Sequence, residues 1–412
     1  MKYGCIGERL GHSFSKEIHG LIADYEYELR EIPRDSVGAF MEAKDFCGIN
    51  VTIPYKETVM PYLDEIDDGA RRIGSVNTVV NRGGRLLGYN TDFYGMSRLI
   101  KKCGIEISGK KVMILGSGGT SKTAHAVCES MGAGEIIPVS RSGRDGTVTY
   151  EDMYYYHTDA DVIVNTTPVG MYPNVSDRSV DVSKFPRLFG YVDAIYNPLR
   201  PTAVREAVAR GIAAEGGLYM LVAQAVRAAE IFMDTALPEN TLDSVFERIV
   251  HNKENVVLIG MPSSGKSTVG KMVASLLGRE FVDTDELIVK LGGMPIPEIF
   301  ATRGEAYFRD LESEAVRIAA KETCRVIATG GGAVLRVENV DALKQNGRVF
   351  FIDRPLEKLI TTSDRPLSSD RAALEQLYTK RYGIYCDSSD ERIDGSPDVK
   401  DVAQSIMEHF KI

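Results

Sequence analysis

The stretch Gly260-Met261-Pro262-Ser263-Ser264-Gly265-Lys266-Ser267-Thr268 fits the pattern G-x-x-x-x-G-K-[ST] of a phosphate-binding loop. The apolar run 256–259 precedes it and a helical pattern follows, which is the strand–loop–helix context that this loop requires. In such a loop, backbone N–H groups surround nucleotide phosphates, so Lys266 would reach the β- and γ-phosphates and Ser267 would coordinate Mg²⁺. Because the loop normally follows the first strand of its domain, we expect a separate domain upstream of it.

The composition is that of a globular protein of several domains. The chain has 412 residues, of which 43% are hydrophobic and 26% charged. Its net charge of −9 argues against nucleic acid and anionic membranes as partners. The six cysteines are scattered without a C-x-x-C pair, so neither a disulfide framework nor a zinc site is indicated. With no apolar signal core and no run that could span a bilayer, these features predict a cytoplasmic protein. A homo-oligomer is among the states that the sequence permits.

A glycine-rich turn in the first half indicates a dinucleotide site. The strand 111–115 runs into Gly116-Ser117-Gly118-Gly119-Thr120-Ser121, and a helix follows. Gly116 allows the tight turn and Gly118 the close approach of a pyrophosphate, while Ser121 occupies the third glycine position. Taken alone, this turn is a weak signal.

The strand 135–139 strengthens that interpretation because it ends in Ser140, Arg141 and, shortly after, Arg144. An NAD enzyme would carry an acid here to hold the ribose hydroxyls. Two guanidinium groups suit a 2′-phosphate instead, so the sequence predicts NADP(H). The alternative is a pair of solvated arginines in a turn.

Four polar clusters lie before this turn, at 11–19, 50–56, 74–79 and 88–92. Taken singly, each has a structural explanation as a helix cap, a turn or surface charge. Together, in their order and spacing, they make residues 1 to about 248 resemble shikimate dehydrogenase.

This resemblance implies an α/β substrate domain at 1–96 and 218–250 and a Rossmann NADP domain at 97–217. It implies that Lys56 and Asp92 form the catalytic pair. The residues implied to hold the polyol acid are Ser13, Ser15, Thr52, Lys56, Asn77, Asp92 and Gln224. The residues implied or predicted to hold NADP are Gly116, Gly118, Gly119, Thr120, Ser121, Ser140, Arg141, Arg144, Gly217 and Met220. One departure is Lys16, where the family usually has proline.

The second half carries a further set of residues beyond the phosphate loop. Asp283 and Asp285 end a short strand one residue apart, so alternation sends both side chains to one face. Three glycines at 330–332 follow another strand and permit close backbone approach to a ligand. With Phe308-Arg309, 364–367 and 380–385, these elements make residues 255–412 resemble shikimate kinase, a P-loop α/β domain of the NMP-kinase type with a parallel sheet.

The resemblance to shikimate kinase implies roles for single residues. Asp285 would bind the reacting hydroxyl and accept its proton, and Asp283 with Ser267 would support Mg²⁺, Asp283 through water. The residues implied to bind shikimate are Asp285, Arg309, Gly331, Gly332 and Arg381, with the two arginines on its carboxylate. The residues expected to bind ATP are Gly260, Ser263, Ser264, Gly265, Lys266, Ser267, Thr268 and Arg365. Arg365 is expected to lie on a lid, and both Lys266 and Arg365 are expected to be catalytic.

The lid region departs from the family pattern. Residues 357–365 form a shorter segment than usual and lack the arginine that commonly precedes the lid and stacks on adenine. Thr361 or Thr362 stands near that place.

The two resemblances predict a bifunctional enzyme with a short linker at 251–254. It would reduce 3-dehydroshikimate with NADPH and phosphorylate the resulting shikimate with ATP and Mg²⁺. Two alternatives stay open at this point. In the first alternative, the first half acts on quinate, or the second half acts on another small polyol acid. In the second alternative, one half is a ligand-binding module without turnover.

Overall fold

The computed structural model describes residues 1–410 apart from His12, Asp145 and 361–370. It divides into two compact units, Met1–Ile249 and Val250–Ile412, which are described separately. None of the described helices combines the length and the apolar character needed to cross a bilayer.

The first unit alternates strands and helices along the chain. Its strands are β1 (Tyr3–Gly7), β2 (Tyr27–Glu31), β3 (Gly48–Val51), β4 (Glu65–Ile66), β5 (Thr78–Arg82), β6 (Arg85–Tyr89), β7 (Lys111–Leu115), β8 (Glu135–Val139), β9 (Val162–Asn165), β10 (Gly190–Asp193) and β11 (Ala213–Glu215). Its helices are α1 (Ser15–Ile22), α2 (Val37–Ala43), α3 (Asp68–Ile73), α4 (Thr91–Lys102), α5 (Gly119–Ser130), α6 (Tyr150–Tyr156), α7 (Thr202–Ala209), α8 (Leu218–Met233) and α9 (Thr241–Lys253).

The first sheet of this unit has the order β2-β1-β3-β5-β6-β4. It is mixed rather than wholly parallel, since β5 runs antiparallel to both β3 and β6. The cause lies in the two-residue turn between β5 and β6, where Gly83 and Gly84 have φ of 63° and 89°. A two-residue loop with positive φ at both positions closes a hairpin, whereas parallel neighbours need a long crossover.

The second sheet is parallel throughout, with the order β11-β10-β9-β7-β8. The strand order reverses between β7 and β9. In open α/β sheets, ligands bind outside the carboxyl ends of the strands at this reversal. The turn that begins at Gly116 follows β7 directly and therefore lies at the expected place.

The second unit is a single parallel sheet with helices packed on it. Its strands are β12 (Asn255–Ile259), β13 (Glu280–Asp283), β14 (Arg325–Ala328), β15 (Gly347–Asp353) and β16 (Glu391–Asp394), in the order β13-β14-β12-β15-β16. Its helices are α10 (Lys266–Leu277), α11 (Thr284–Gly292), α12 (Ile296–Ala320), α13 (Val337–Asn346), α14 (Arg371–Ser388) and α15 (Val399–Phe410). The central β12 is fully buried, in agreement with the apolar run 256–259 that follows Asn255.

The region expected to be a linker at 251–254 begins in helix. Residues 251–253 form the end of α9, and strand β12 starts at Asn255. The division by contacts falls between Ile249 and Val250, inside the same helix.

Candidate functional sites

The first unit brings Lys56 and Asp92 together. The Lys56 Nζ atom lies 2.5 Å from Asp92 Oδ2, and the two side chains are 15% and 10% exposed. Asp92 is in the first turn of α4, where a carboxylate is favoured by the helix dipole. Asn90 caps that helix by accepting from the N–H of Phe93 at 3.1 Å, so Asp92 itself does not serve as the cap. The cap holds the start of α4, and Asp92 with it, facing the lysine.

Behind this pair lies a buried polar network. Asn77 Oδ1 accepts from the Thr91 N–H at 2.7 Å, and Asn77 Nδ2 donates to Thr91 Oγ1 at 3.1 Å. Thr91 Oγ1 in turn donates to Gln224 Oε1 at 3.4 Å. No role was predicted for Thr91 from the sequence, although it stands next to Asp92. Thr91 joins two residues predicted to bind substrate, a link between distant segments that no local pattern signals.

Helix α8 carries Gln224 close to α4 because α4 contains Gly95. A Cβ atom on Gly95 would lie 2.6 Å from the Met220 carbonyl oxygen and 3.2 Å from Gln224 Cβ. At the start of α1, which also packs on α8, Ser13 Oγ accepts from the Ser15 N–H at 3.3 Å. Thr52 follows β3, and its N–H donates to the Ile6 carbonyl at 3.0 Å. These contacts fix the segments that carry the predicted hydroxyl-binding residues.

The glycine-rich turn after β7 has the geometry of a phosphate cradle. Gly116 has φ of 116°, and a Cβ atom there would lie 2.6 Å from Thr166 Oγ1. Gly118 faces open space. Ser121 Oγ donates to the Gly116 carbonyl at 2.8 Å, so the serine at the third glycine position fastens the turn. The backbone is thus exposed where a pyrophosphate would approach.

The same turn lies beside the lysine. A Cβ atom on Gly119 would be 3.5 Å from Ser75 Oγ and 3.9 Å from Lys56 Cδ. Gly217 caps α8 at its start, and Met220 is buried one turn later. Gly217 packs so closely on Ala194 that a side chain would collide with its backbone.

The residues after β8 form an exposed turn. Ser140 Oγ accepts from the Gly143 N–H at 3.1 Å and shares a hydrogen bond of 2.7 Å with Thr147 Oγ1. Arg141 and Arg144 are exposed on this turn. Their guanidinium groups fit an anionic group at the end of a dinucleotide.

In the second unit, a cavity of about 640 Å³ opens at the carboxyl edge of the sheet. This volume lies within the usual range for small-molecule sites. Predicted kinase residues in its lining are Ser263, Gly265, Lys266, Ser267, Thr268, Asp285, Arg309, Gly331, Gly332 and Arg381. Thus one cavity collects side chains from the phosphate loop, α11, α12 and α14.

The phosphate loop has the strained backbone that its glycines suggest. Gly260 and Gly265 have φ of 147° and 94°, and Ser263 also has a positive φ, 64°. Lys266 Nζ donates to the carbonyls of Gly260 and Met261 at 3.0 and 2.9 Å. Ser264 Oγ is buried with no hydrogen-bond partner among the described residues. The ammonium group of Lys266 therefore lies against the start of the loop, whose backbone would surround a bound phosphate.

Ser267 and Asp283 lie together, as a shared Mg²⁺ site requires. Ser267 Oγ donates to Asp283 Oδ2 at 2.6 Å, and Asp283 Oδ1 accepts from the Asp285 N–H at 2.9 Å. Within the described part of the chain, no three His, Cys, Asp or Glu residues gather into a metal site. A hydroxyl and one carboxylate suit Mg²⁺, which keeps most of its water and takes phosphate oxygens as further ligands.

Two arginines line the deep end of the cavity. Arg309 Nη1 lies 2.6 Å from Glu312 Oε2, and Arg381 Nη1 donates to the Gly331 carbonyl at 2.9 Å. Glu312 has a side chain that is 1% exposed, and this burial raises the pKa of its carboxyl. No role was predicted for Glu312 from the sequence. Its position three residues after Arg309 on one helix is the signal that identifies it as the partner.

The glycines after β14 are required by crowding around these groups. A Cβ atom on Gly330 would lie 2.6 Å from Asp285 Oδ1, and one on Gly332 would overlap the Arg309 guanidinium. The side chains of Asp285 and Arg309 therefore lie against the backbone of these glycines, where no other residue type would fit. Arg365, which was predicted to lie on the lid, and Thr361 and Thr362, which stand near the place of the missing arginine, lie outside the described residues.

These two sites define a dinucleotide-dependent dehydrogenase in the first unit and a P-loop kinase of small molecules in the second. Family models match in the same order. The shikimate dehydrogenase substrate binding domain matches residues 5–79, and shikimate kinase matches residues 262–411.

Similar proteins support the assignment of the first unit. Shikimate dehydrogenase (NADP(+)) of Clostridium perfringens is 34% identical over 264 residues, which are 60% of this chain and 97% of that protein. A chorismate mutase/shikimate 5-dehydrogenase fusion protein from Clostridium acetobutylicum has a solved structure with 36% identity and a TM-score of 0.56, covering 60% of this chain and 96% of that one. The Thermus thermophilus shikimate 5-dehydrogenase, solved with NADP(H) and shikimate, is 27% identical with a TM-score of 0.55, covering 60% and 99%. The chain belongs to the shikimate dehydrogenase family through its first unit, and its second unit carries a shikimate kinase domain.

Proposed function

We propose that this protein catalyses two successive reactions, the reduction of 3-dehydroshikimate to shikimate with NADPH and the phosphorylation of shikimate by ATP to shikimate 3-phosphate. The observation that supports the proposal is the presence on one chain of two polar sites that suit successive forms of the same small molecule. The product of the first reaction is the substrate of the second.

In the first reaction, NADPH supplies the hydride when bound. Lys56 would donate a proton to the ketone oxygen and stabilise the charge that develops there. Asp92, held 2.5 Å away, would keep the ammonium oriented and accept a hydrogen bond from the neighbouring hydroxyl. Asn77 and Gln224, linked through Thr91, would select a substrate rich in hydroxyls, because a site that pairs hydroxyls rejects analogues without them by about 10⁴-fold.

The preference for NADP(H) is argued from the turn after β8. Arg141 and Arg144 are exposed there, and they would take the 2′-phosphate while the turn at Gly116–Ser121 accommodates the pyrophosphate. The backbone geometry of Gly116 and the open space at Gly118 support this fit.

In the second reaction, Asp285 would accept the proton of the attacking hydroxyl. Lys266 would stabilise the phosphoryl oxygens during transfer, and Ser267 with Asp283 would hold the Mg²⁺ that accompanies ATP. Arg309 and Arg381 would bind the carboxylate of shikimate, since a planar guanidinium meets a carboxylate with two hydrogen bonds. Burial of both arginines would exclude water from the clamp.

We further propose a cytoplasmic location, which the six free cysteines support. A homo-oligomer stays a prediction, which light scattering of the purified protein would test.

The direct test supplies purified protein with 3-dehydroshikimate, NADPH, ATP and Mg²⁺. We expect shikimate to form first and shikimate 3-phosphate to follow. Oxidation of NADPH with the ketone of quinate, 3-dehydroquinate, but none with 3-dehydroshikimate would refute the first half. Accumulation of shikimate without phosphorylation would refute the second.

A further inference from the structure

Arg354 follows β15 directly and lies beside the phosphate loop. Its Nη1 atom is 3.8 Å from the position that a Cβ atom would take on Gly265. At the other end of the side chain, Arg354 Cβ is 3.2 Å from the corresponding position on Gly395, in the loop after β16. The side chain therefore extends from the loop after β16 to Gly265, the residue immediately before α10.

The guanidinium group of Arg354 has one buried donor without an acceptor among the described residues. Its Nε atom is buried and has no hydrogen-bond partner among the described residues. The adjacent carboxylate, Asp353, is already occupied, since it accepts from Arg392 Nε at 2.7 Å and from the Tyr382 hydroxyl at 3.1 Å. A guanidinium stays charged at any physiological pH and offers five donors, so a buried donor without a partner is costly unless a ligand supplies acceptors.

The neighbourhood of Gly265 indicates which acceptors these are. The loop 260–265 leads into α10, and its backbone N–H groups are those that surround nucleotide phosphates. Phosphate oxygens match the fork of a guanidinium with two parallel hydrogen bonds. The sequence motif covers the loop itself and does not include Arg354, which lies about 90 residues later and reaches the loop only because β15 pairs with β12.

We propose that Arg354 binds the nucleotide of the kinase unit, donating from its guanidinium to the phosphate chain held beside Gly265. The proposal rests on the kinase function proposed above. It adds to the phosphate loop a cation that lies outside the sequence motif and comes from the end of the neighbouring strand β15.

The test measures Mg²⁺–ADP binding to the full chain by titration calorimetry. Arg354→Gln should weaken ADP binding about tenfold, the loss expected for one charge-assisted contact, and Arg354→Lys should recover part of it. The KM for shikimate and the rate of NADPH oxidation should stay at their wild-type values. Arg317→Gln is the matched control, because Arg317 is an exposed arginine on α12 that pairs with Glu314.

Three results would overturn the proposal. If Arg354→Gln bound ADP with an affinity within twofold of the wild-type protein, Arg354 would not contact the nucleotide. An equal loss of adenosine affinity would move its contact from the phosphates to the base. A fall in melting temperature together with all affinities would make the residue structural. If the wild-type protein binds ADP without phosphorylating shikimate, the kinase function fails, while the effect of Arg354 on ADP is still measured.

Discussion

Lys56 and Asp92 are an ion pair that excludes most of the solvent, and this makes each residue depend on the other. At 2.5 Å, with both side chains largely buried, the lysine neutralises a carboxylate that would otherwise be costly to hold. Breaking a buried pair by removing one partner typically destabilises a protein by about 3–5 kcal/mol. Loss of Lys56 therefore has a chemical effect and a structural effect, which must be measured separately.

Lys56→Ala should lower the rate of NADPH oxidation with 3-dehydroshikimate by about 10²-fold or more, because the proton donor at the ketone oxygen is lost. Phosphorylation of added shikimate should continue at the wild-type rate and serves as the control for folding of the second unit. The double variant Lys56→Ala with Asp92→Ala removes the unpaired carboxylate and should recover stability without recovering rate. A single variant that keeps a tenth of the activity would contradict the catalytic role of Lys56.

Glu312→Gln should raise the KM for shikimate about tenfold while leaving the KM for ATP unchanged. The reason is that Glu312 neutralises and orients Arg309 through a buried contact of 2.6 Å, and a neutral amide holds the guanidinium less firmly. Steady-state kinetics of the kinase reaction measure both constants. Equal increases in both would show that the substitution disturbs the whole cavity rather than the carboxylate clamp.

At the scale of the element, the turn after β7 contains one glycine that the fold requires and another that leaves space for the cofactor. Gly116 has a φ of 116° that side chains rarely adopt, and it packs against Thr166. Gly118 has φ of −88° and faces open space, so a methyl group there meets nothing in the protein. The backbone conformation thus requires glycine at position 116, whereas the glycine at 118 leaves room for a cofactor.

Gly116→Ala should lower both the melting temperature and NADPH affinity, with a stability loss of about 1 kcal/mol or more from the strained backbone. Gly118→Ala should leave the melting temperature unchanged and weaken NADPH binding alone, because its methyl group occupies the pyrophosphate position. Differential scanning calorimetry and NADPH titration give the two readouts. Loss of stability in Gly118→Ala would show that this turn is crowded in solution.

How far the elements could be predicted depends on the range of the interactions that form them. The α/β class and both glycine-rich turns were predicted, because a strand, a turn and a helix are consecutive in sequence. The antiparallel hairpin of β5 and β6 was not, although Gly83 and Gly84 are its local signal. Thr91 was missed because its link to Gln224 joins segments more than 100 residues apart, and Arg354 because only strand pairing brings it to Gly265.

At the scale of the whole molecule, two sites on one chain should behave as separable enzymes. Lys266→Ala should abolish phosphorylation and leave NADPH oxidation intact, the reverse of Lys56→Ala. A mixture of the two variant proteins should then convert 3-dehydroshikimate to shikimate 3-phosphate, since shikimate released by one chain is available to the other. Failure of the mixture, with each single activity intact, would indicate that shikimate is not released.

The stability of the first unit should fall in acid because of His19. This histidine is fully buried and stacks on Tyr27 at 3.9 Å, and burial lowers its pKa to about 3. The unfolded chain takes up the proton near pH 6.5, whereas the folded chain resists it until about pH 3, so stability is lost as the pH falls between these values. The loss is about 1.4 kcal/mol per pH unit in this window.

His19→Phe keeps the stacking ring and removes the proton site. Urea unfolding, followed by hydrogen exchange in β1, gives the free energy of unfolding at each pH. Between pH 7 and pH 5 this free energy should fall by about 2 kcal/mol less in the variant than in the wild-type protein. Parallel slopes in the two proteins would contradict the neutral, buried state of His19.

Helix α9 runs unbroken from Thr241 to Lys253, across the boundary between the units. One ribosome therefore completes both active sites in every round of translation, and the cell makes them in a fixed ratio of one to one. Changes in expression level scale the production and the consumption of shikimate together. The ratio of the two active sites is thus fixed by the gene itself and does not depend on matched promoters.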